Sequence, residues 1–136
     1  MSFDVQRLLG SPHGHGSRLG IVFHAQGDDW AELALPYRAE LIGDVETGVL
    51  ASGPIVTMMD MATSCGVWRR RGRFVAHATL DLRVDYLRAA RPGATVIGRG
   101  ECYRIARSVA FVRGHAHDGD PADLVAHVAG TFMVTE

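Results

Sequence analysis

Within the run LASGPIVTMMDMATSCGVW, residues 50–68, one carboxylate, Asp60, stands among Met58, Met59 and Met61. The run has the length and apolar content of a helix. On a helical repeat Gly53, Thr57, Asp60 and Ser64 fall on one stripe, with Ile55, Met58, Met59 and Ala62 on the apolar sides. The acid therefore belongs to a narrow polar line that begins at the helix start. Free N–H groups there stabilise negative charge. A thioester carbonyl at that point would have its developing oxyanion held by the amides near Ser52 and Gly53. A carboxylate two turns further on could attack the same carbon or activate a water. A structural reading stands beside this one: a helical Asp can be partly exposed, or bonded to a neighbouring turn or an arginine.

The elements that position this stripe can be read from periodicity. Phe3 to Leu9 suit one short helix, ended by Gly10 and Pro12. Residues 18–25 read as a strand, 26–29 as a turn and 30–37 as a second strand, which together make a hairpin. A polar connection covers 38–49. The long helix starts with Ser52 or Gly53 as cap and Pro54 in the first turn, runs to about Arg70 and leaves at Gly72. Residues 77–87 then alternate, with Ala78, Leu80, Leu82, Val84 and Tyr86 on one face and His77, Thr79, Asp81, Arg83 and Asp85 on the other. Strands follow at 95–104, where the glycines suggest bends or bulges, at 108–117 and at 124–134. Short turns favour antiparallel neighbours. The expected fold is α+β: an antiparallel sheet of five to six strands wrapped round one long central helix, in a single domain over 1–136 with an N-terminal extension at 1–17.

Composition sets limits on partners. Apolar residues make up 47% and charged residues 21%, which excludes a disordered chain. The net charge of -1 offers no field for nucleic acid or anionic lipid. Cys65 and Cys102 are far apart with no CxxC spacing, so a reduced, cytoplasmic protein is expected. The first residues lack a secretory pattern, and no apolar run approaches the roughly 18 residues of a membrane span.

The order of these elements, with "GVLASGPIVTMMDMA", "ATLDLRVDYLRAA" and the closing "AHVAGTFMV", resembles the hotdog-fold acyl-CoA thioesterases of the phenylacetyl-CoA thioesterase (PaaI-like) family over residues 18–134. In that family a His-Gly-Gly motif precedes an Asp by seven residues, and Gly53 and Asp60 keep the spacing. The resemblance implies that Asp60 is nucleophile or general base, that Ser52 and Gly53 form the oxyanion hole, and that Thr79 supports the reacting water. It also implies a homodimer joined along the 77–87 strands, with a dimer of dimers possible and the active site at the interface. The substrate would be an acyl-CoA, with no cofactor beyond its coenzyme A and no metal. Ala51 stands where the family has His, Ser52 where it has the first Gly, and Val45 where it often has Asn. These departures motivate a second reading, a hotdog protein that binds an acyl-CoA or apolar ligand without hydrolysis. Hotdog hydratases pair Asp with a nearby His, and no His follows Asp60 before His77.

Thr79 carries a tension of its own. Simple alternation turns it away from its helix, so it acts only if a partner's helix approaches or a bulge turns the strand. Thr57 and Ser64 are further substrate-binding candidates on the stripe. Arg104, Arg107 and Ser108 form a strand turn suited to the nucleotide end of coenzyme A. The run WRRRGRF at 68–74 could grip phosphates, but it also suits a solvated helix end whose cations complement the dipole. His115 and His117 would share a strand face, and no third metal ligand is suggested near them.

Overall fold

The computed structural model describes residues 3–135. Two short helices, α1 (Val5–Leu8) and α2 (His15–Leu19), precede β1 (Val22–Gln26) and β2 (Trp30–Leu35). A 3-10 turn at Ala39–Leu41 leads to the long helix α3 (Ser52–Arg71). Four strands follow: β3 (His77–Tyr86), β4 (Val96–Ala106), β5 (Val109–His117) and β6 (Leu124–Val134). They form one six-stranded sheet in the order β1-β2-β4-β5-β6-β3, with every neighbouring pair antiparallel. This is the expected α+β arrangement. The crossover from β2 through α3 sends β3 to the far edge, and the later hairpins fill the middle.

The helix lies on β2, β4 and β5. Ile55, Met58, Met59, Ala62 and Cys65 bury their side chains with Leu33, Leu35, Val96 and Val128, all at most 3% exposed. Gly100 and Gly66 let the backbones meet. A Cβ on Gly100 would fall inside the main chain of Ala62 and Thr63, and one on Gly66 would stand 2.9 Å from the Gly100 carbonyl oxygen. Gly98 and Gly100 therefore serve close approach. The irregularity expected of them lies further along β4, between Cys102 and Arg104.

Three local expectations are corrected. The strand foreseen from residue 18 begins only at Val22, because His15–Leu19 coil into α2, which closes on Gly20 in the left-handed region at φ 82°. The cap of α3 is Ala51, whose side chain makes no capping bond; Ser52 and Gly53 are already helical. Pro54 does sit in the first turn, and Gly72 ends the helix at φ 75°. The arginine run is tied down. Arg69 donates from Nε to the Gly27 carbonyl at 2.6 Å and from Nη1 to that of Phe3, and Arg70 donates to the Cys102 carbonyl at 3.3 Å.

Candidate active site

The half-buried Asp60 comes within reach of β3 because that strand is irregular. Thr79 pairs with Phe132 and Asp81 with Thr131, so Leu80 is an extra residue in a β-bulge. Before the bulge His77 and Thr79 face the helix; after it Leu82 and Val84 do, packing on the core. Ala78 and Leu80 lie outside, contrary to a single uninterrupted alternation. Thr79 Oγ1 donates to Asp60 Oδ1 at 2.8 Å. The bulge thus brings Thr79 to the Asp60 of its own chain.

One turn past Asp60, Ser64 Oγ meets His77 Nε2. The imidazole stacks on Trp68, with ring centroids 4.5 Å apart, and meets Phe132 edge-on at 5.0 Å. Burial pushes its pKa down, while the negative charge of Asp60 pulls it up. One turn before Asp60, Thr57 Oγ1 lies 3.5 Å from His15 Nε2, at the outer limit of a hydrogen bond. Residues 8–17 arch over this side of α3. A Cβ on Gly16 would stand 2.6 Å from Met61 Cε, so α2 rests directly on that side chain. Beneath the arch is a cleft of about 210 Å³, whose lining includes Leu8, Leu9, His13, Ile21 and Met61.

The start of α3 is a second centre. No side chain caps its first amides, and the space in front of Gly53 is open. Tyr86, at the far end of β3, donates its hydroxyl to the Ser52 carbonyl oxygen at 3.0 Å. Tyr86 and Ser52 share a cleft of about 250 Å³ with Leu50, Ile55, Arg88 and Val125. Burial raises the Tyr86 pKa, so the phenol stays a donor. Arg88 is held by Asp118 through bonds of 2.9 and 2.8 Å.

The two centres are apart. Seven helical residues separate Gly53 from Asp60, a rise of about 10 Å. The amides of the helix mouth and the carboxylate thus stand about two turns apart along one helix. Arg104, Arg107 and Ser108 stand at the Asp60 end of the sheet, because Val134, which pairs with His77, donates to the Ser108 carbonyl at 2.8 Å. Arg107 adopts φ 59° in the turn there. Among the described residues no hydrogen bond or ion pair joins these three to the Asp60 cluster. Cys65 is a packed residue, its thiol pKa pushed up to about 12 by burial.

Periodicity alone missed His77, His15 and Tyr86 as neighbours of the stripe. The available signal was the spacing of His77 and Thr79 against Leu82, Val84 and Tyr86, which puts both odd and even positions inward once one residue is extra.

The thioesterase superfamily pattern matches residues 47–125, more than half of the chain, covering α3 and the Asp60–Thr79 pair. The chain belongs to the thioesterase superfamily. Thioester hydrolysis is the activity that this membership carries. A Pseudomonas aeruginosa protein of known crystal structure is 40% identical over 85% of each chain, with a TM-score of 0.77. A mutant of the phenylacetic acid degradation protein PaaI from Thermus thermophilus is 26% identical over 85% of this thioesterase and 94% of that chain, at a TM-score of 0.72. A thioesterase from Haemophilus influenzae shares the fold, with 22% identity, 100% and 93% coverage and a TM-score of 0.85. No curated protein matches. In this thioesterase no helix among the described residues is long and apolar enough to cross a membrane.

Proposed function

We propose that the protein hydrolyses acyl-CoA thioesters at two equivalent sites, each built from two copies of the chain. One observation carries this reading: the edge strand β3 touches both centres, with Thr79 on Asp60 at its start and Tyr86 on Ser52 at its end. β3 is ten residues long, has one side of its ladder open and exposes Leu80 at 54%. Such an edge invites another strand. If two β3 strands pair antiparallel, the start of each lies beside the end of the other. Asp60 and Thr79 of one chain then face the helix mouth of its partner, and the gap of about 10 Å along a single helix ceases to matter.

At such a site the thioester carbonyl oxygen points at the amides of Ser52 and Gly53, which hold the oxyanion as the carbonyl carbon becomes tetrahedral. Asp60 of the other chain attacks that carbon, or takes a proton from the water that does. Collapse of the intermediate breaks the C–S bond and expels the coenzyme A thiolate, leaving the free acid where water attacked, or an Asp60 mixed anhydride that a water then hydrolyses. Thr79 keeps the carboxylate aimed. Ala51 leaves the backbone amides in place, so the missing family imidazole does not remove the oxyanion hole. Thr57 and Ser64 flank the acid on the stripe. Arg104, Arg107 and Ser108 stand at the same end of the sheet as Asp60, beside the partner's helix mouth in the paired dimer, where they suit the phosphates of coenzyme A. The cleft over Met61 suits the acyl group: a dry cavity of about 150 Å³ already holds benzene, so a short chain or a single ring fits.

The decisive experiment is Asp60→Asn, assayed on a panel of acyl-CoA thioesters with phenylacetyl-CoA among them. Loss of a positioned base or nucleophile is expected to lower kcat by about 10²–10⁴-fold with the fold unchanged. Undiminished turnover by the folded variant would refute the assignment. Saturable binding of acyl-CoA without turnover across the panel, by the wild-type protein, would favour the binding-only reading.

A further inference from the structure

The Asp60 site contains an imidazole that the proposed reaction does not use. His77 precedes Thr79 by two residues on the inward side of β3. Its Nε2 meets Ser64 Oγ, and its Nδ1 is buried without a hydrogen-bond partner among the described residues. The groups facing the ring are Asp60, Ser64 and Trp68 from α3 and Phe132 from β6, and of these only Asp60 carries a charge.

The placement of hydrogens follows from this geometry. A buried N–H without an acceptor is rarer in proteins than a buried lone pair without a donor. The hydrogen of the neutral ring therefore belongs on Nε2, which donates it to Ser64 Oγ, and Nδ1 keeps its lone pair. Ser64 lies four residues after Asp60, and side chains so spaced on a helix are neighbours. Among the described residues no hydrogen bond joins Ser64 to Asp60, and the serine's own hydrogen is free to turn toward the carboxylate one turn back. A second proton on the ring would make Nδ1 a buried donor with nothing to receive it, which is costly. Nε2 keeps its bond to Ser64, so the change is felt as an unpaired Nδ1–H and as charge. It would also set a cation beside Asp60, and a nearby cation makes a carboxylate a weaker base.

We propose that His77 and Ser64 are a positioning pair for Asp60: the neutral ring orients the serine, the serine steadies the acid, and protonation of the ring silences the site. The proposal rests on the reading of Asp60 as the acting carboxylate. Burial holds the ring neutral to lower pH than a free imidazole, against the opposing pull of Asp60, so the pair is intact at neutral pH.

The test is the pH dependence of kcat/KM between about pH 4.5 and about pH 8.5, measured on the best acyl-CoA of the panel with wild type, His77→Gln, His77→Phe and Asp60→Asn. Glutamine offers an amide N–H in place of Nε2–H and does not titrate. Phenylalanine fills the slot between Trp68 and Phe132 without a donor, which keeps the variant folded. Wild type is expected to lose activity on the acid side between the carboxylate and free-imidazole ranges. His77→Gln should stay within about threefold of wild type near pH 8 while its acid limb moves down to the carboxylate range. His77→Phe should lower kcat about tenfold at every pH, with KM little changed. A His77→Gln limb that coincides with that of wild type, or a fully active His77→Phe, overturns the proposal. An inactive Asp60→Asn beside such a limb removes this proposal alone, whereas an active Asp60→Asn removes the reading of the site and this proposal with it.

Discussion

The hydroxyl of Thr79 is the smallest feature on which turnover is expected to depend. A hydrogen bond to a charged group contributes about 1.5–3 kcal/mol, so Thr79→Val, which keeps the shape without the donor, should lower kcat roughly tenfold or more, and Thr79→Ser should restore most of it. Steady-state kinetics of the two variants checks this. A second residue-scale expectation concerns Asp118, 4% exposed and bonded by Arg88 and by the amide of Arg91. Arg88 holds its carboxyl well below the ordinary 3.8. A depressed carboxyl pKa stabilises the fold above the unfolded-state value, and that stability is lost as pH falls through the folded-state one. Asp118→Asn should cost about 2 kcal/mol near neutral pH. The gap in Tm between variant and wild type should close as the pH drops below about 4. The place of Asp60 on the polar stripe of α3 was legible from helical spacing, while its proposed role came from the family resemblance. His77 was not legible, since its meeting with Ser64 and Asp60 depends on which way a strand faces.

Elements fit together here through small residues. The backbone of α3 rests on β4 at Gly100, where a methyl group would enter the main chain of Ala62 and Thr63. Gly100→Ala should therefore destabilise by about 3 kcal/mol or more, the upper range for overpacking, as read by denaturant unfolding. On its other side α3 is roofed by α2 through Gly16 and Met61. Met61→Ala is expected to shift acyl preference toward chains longer by about two carbons, because shortening the side chain deepens an apolar pocket, where each buried methylene is worth about 0.8 kcal/mol. Relative kcat/KM across the acyl-CoA panel reads this out. The helix, the β3–β6 strands and their turns were visible in periodicity and turn residues. α2 was not, since five residues between Gly14 and Gly20 carry too little pattern to separate from the strand that follows. The Leu80 bulge was equally hidden, because an extra residue looks like ordinary alternation until its partner strand is known.

At the scale of the whole molecule, the open β3 edge with a centre at each of its ends fits the proposed pairing of two chains. Sedimentation is expected to give a dimer. A sharper test mixes two inactive variants, Asp60→Asn and Gly53→Pro, the second of which removes an amide donor from the helix mouth. If each site takes its acid from one chain and its amides from the other, a mixed dimer has one intact site. Random reassociation of equal amounts should then restore roughly a quarter of wild-type activity, one site in half of the dimers. Sites confined to single chains would recover nothing.

The sequence by itself determined what is local or periodic: the long helix, the polar stripe through Gly53, Thr57, Asp60 and Ser64, the antiparallel strands and the family to which they belong. Helical spacing and alternation follow from backbone geometry, so these need no tertiary information. Only the tertiary structure decided which side chains meet. The bulge turned Thr79 and His77 toward α3, and the N-terminal arch carried His15 to Thr57. Those meetings depend on strand register and packing between segments distant along the chain, where one added residue reverses the side that a strand presents.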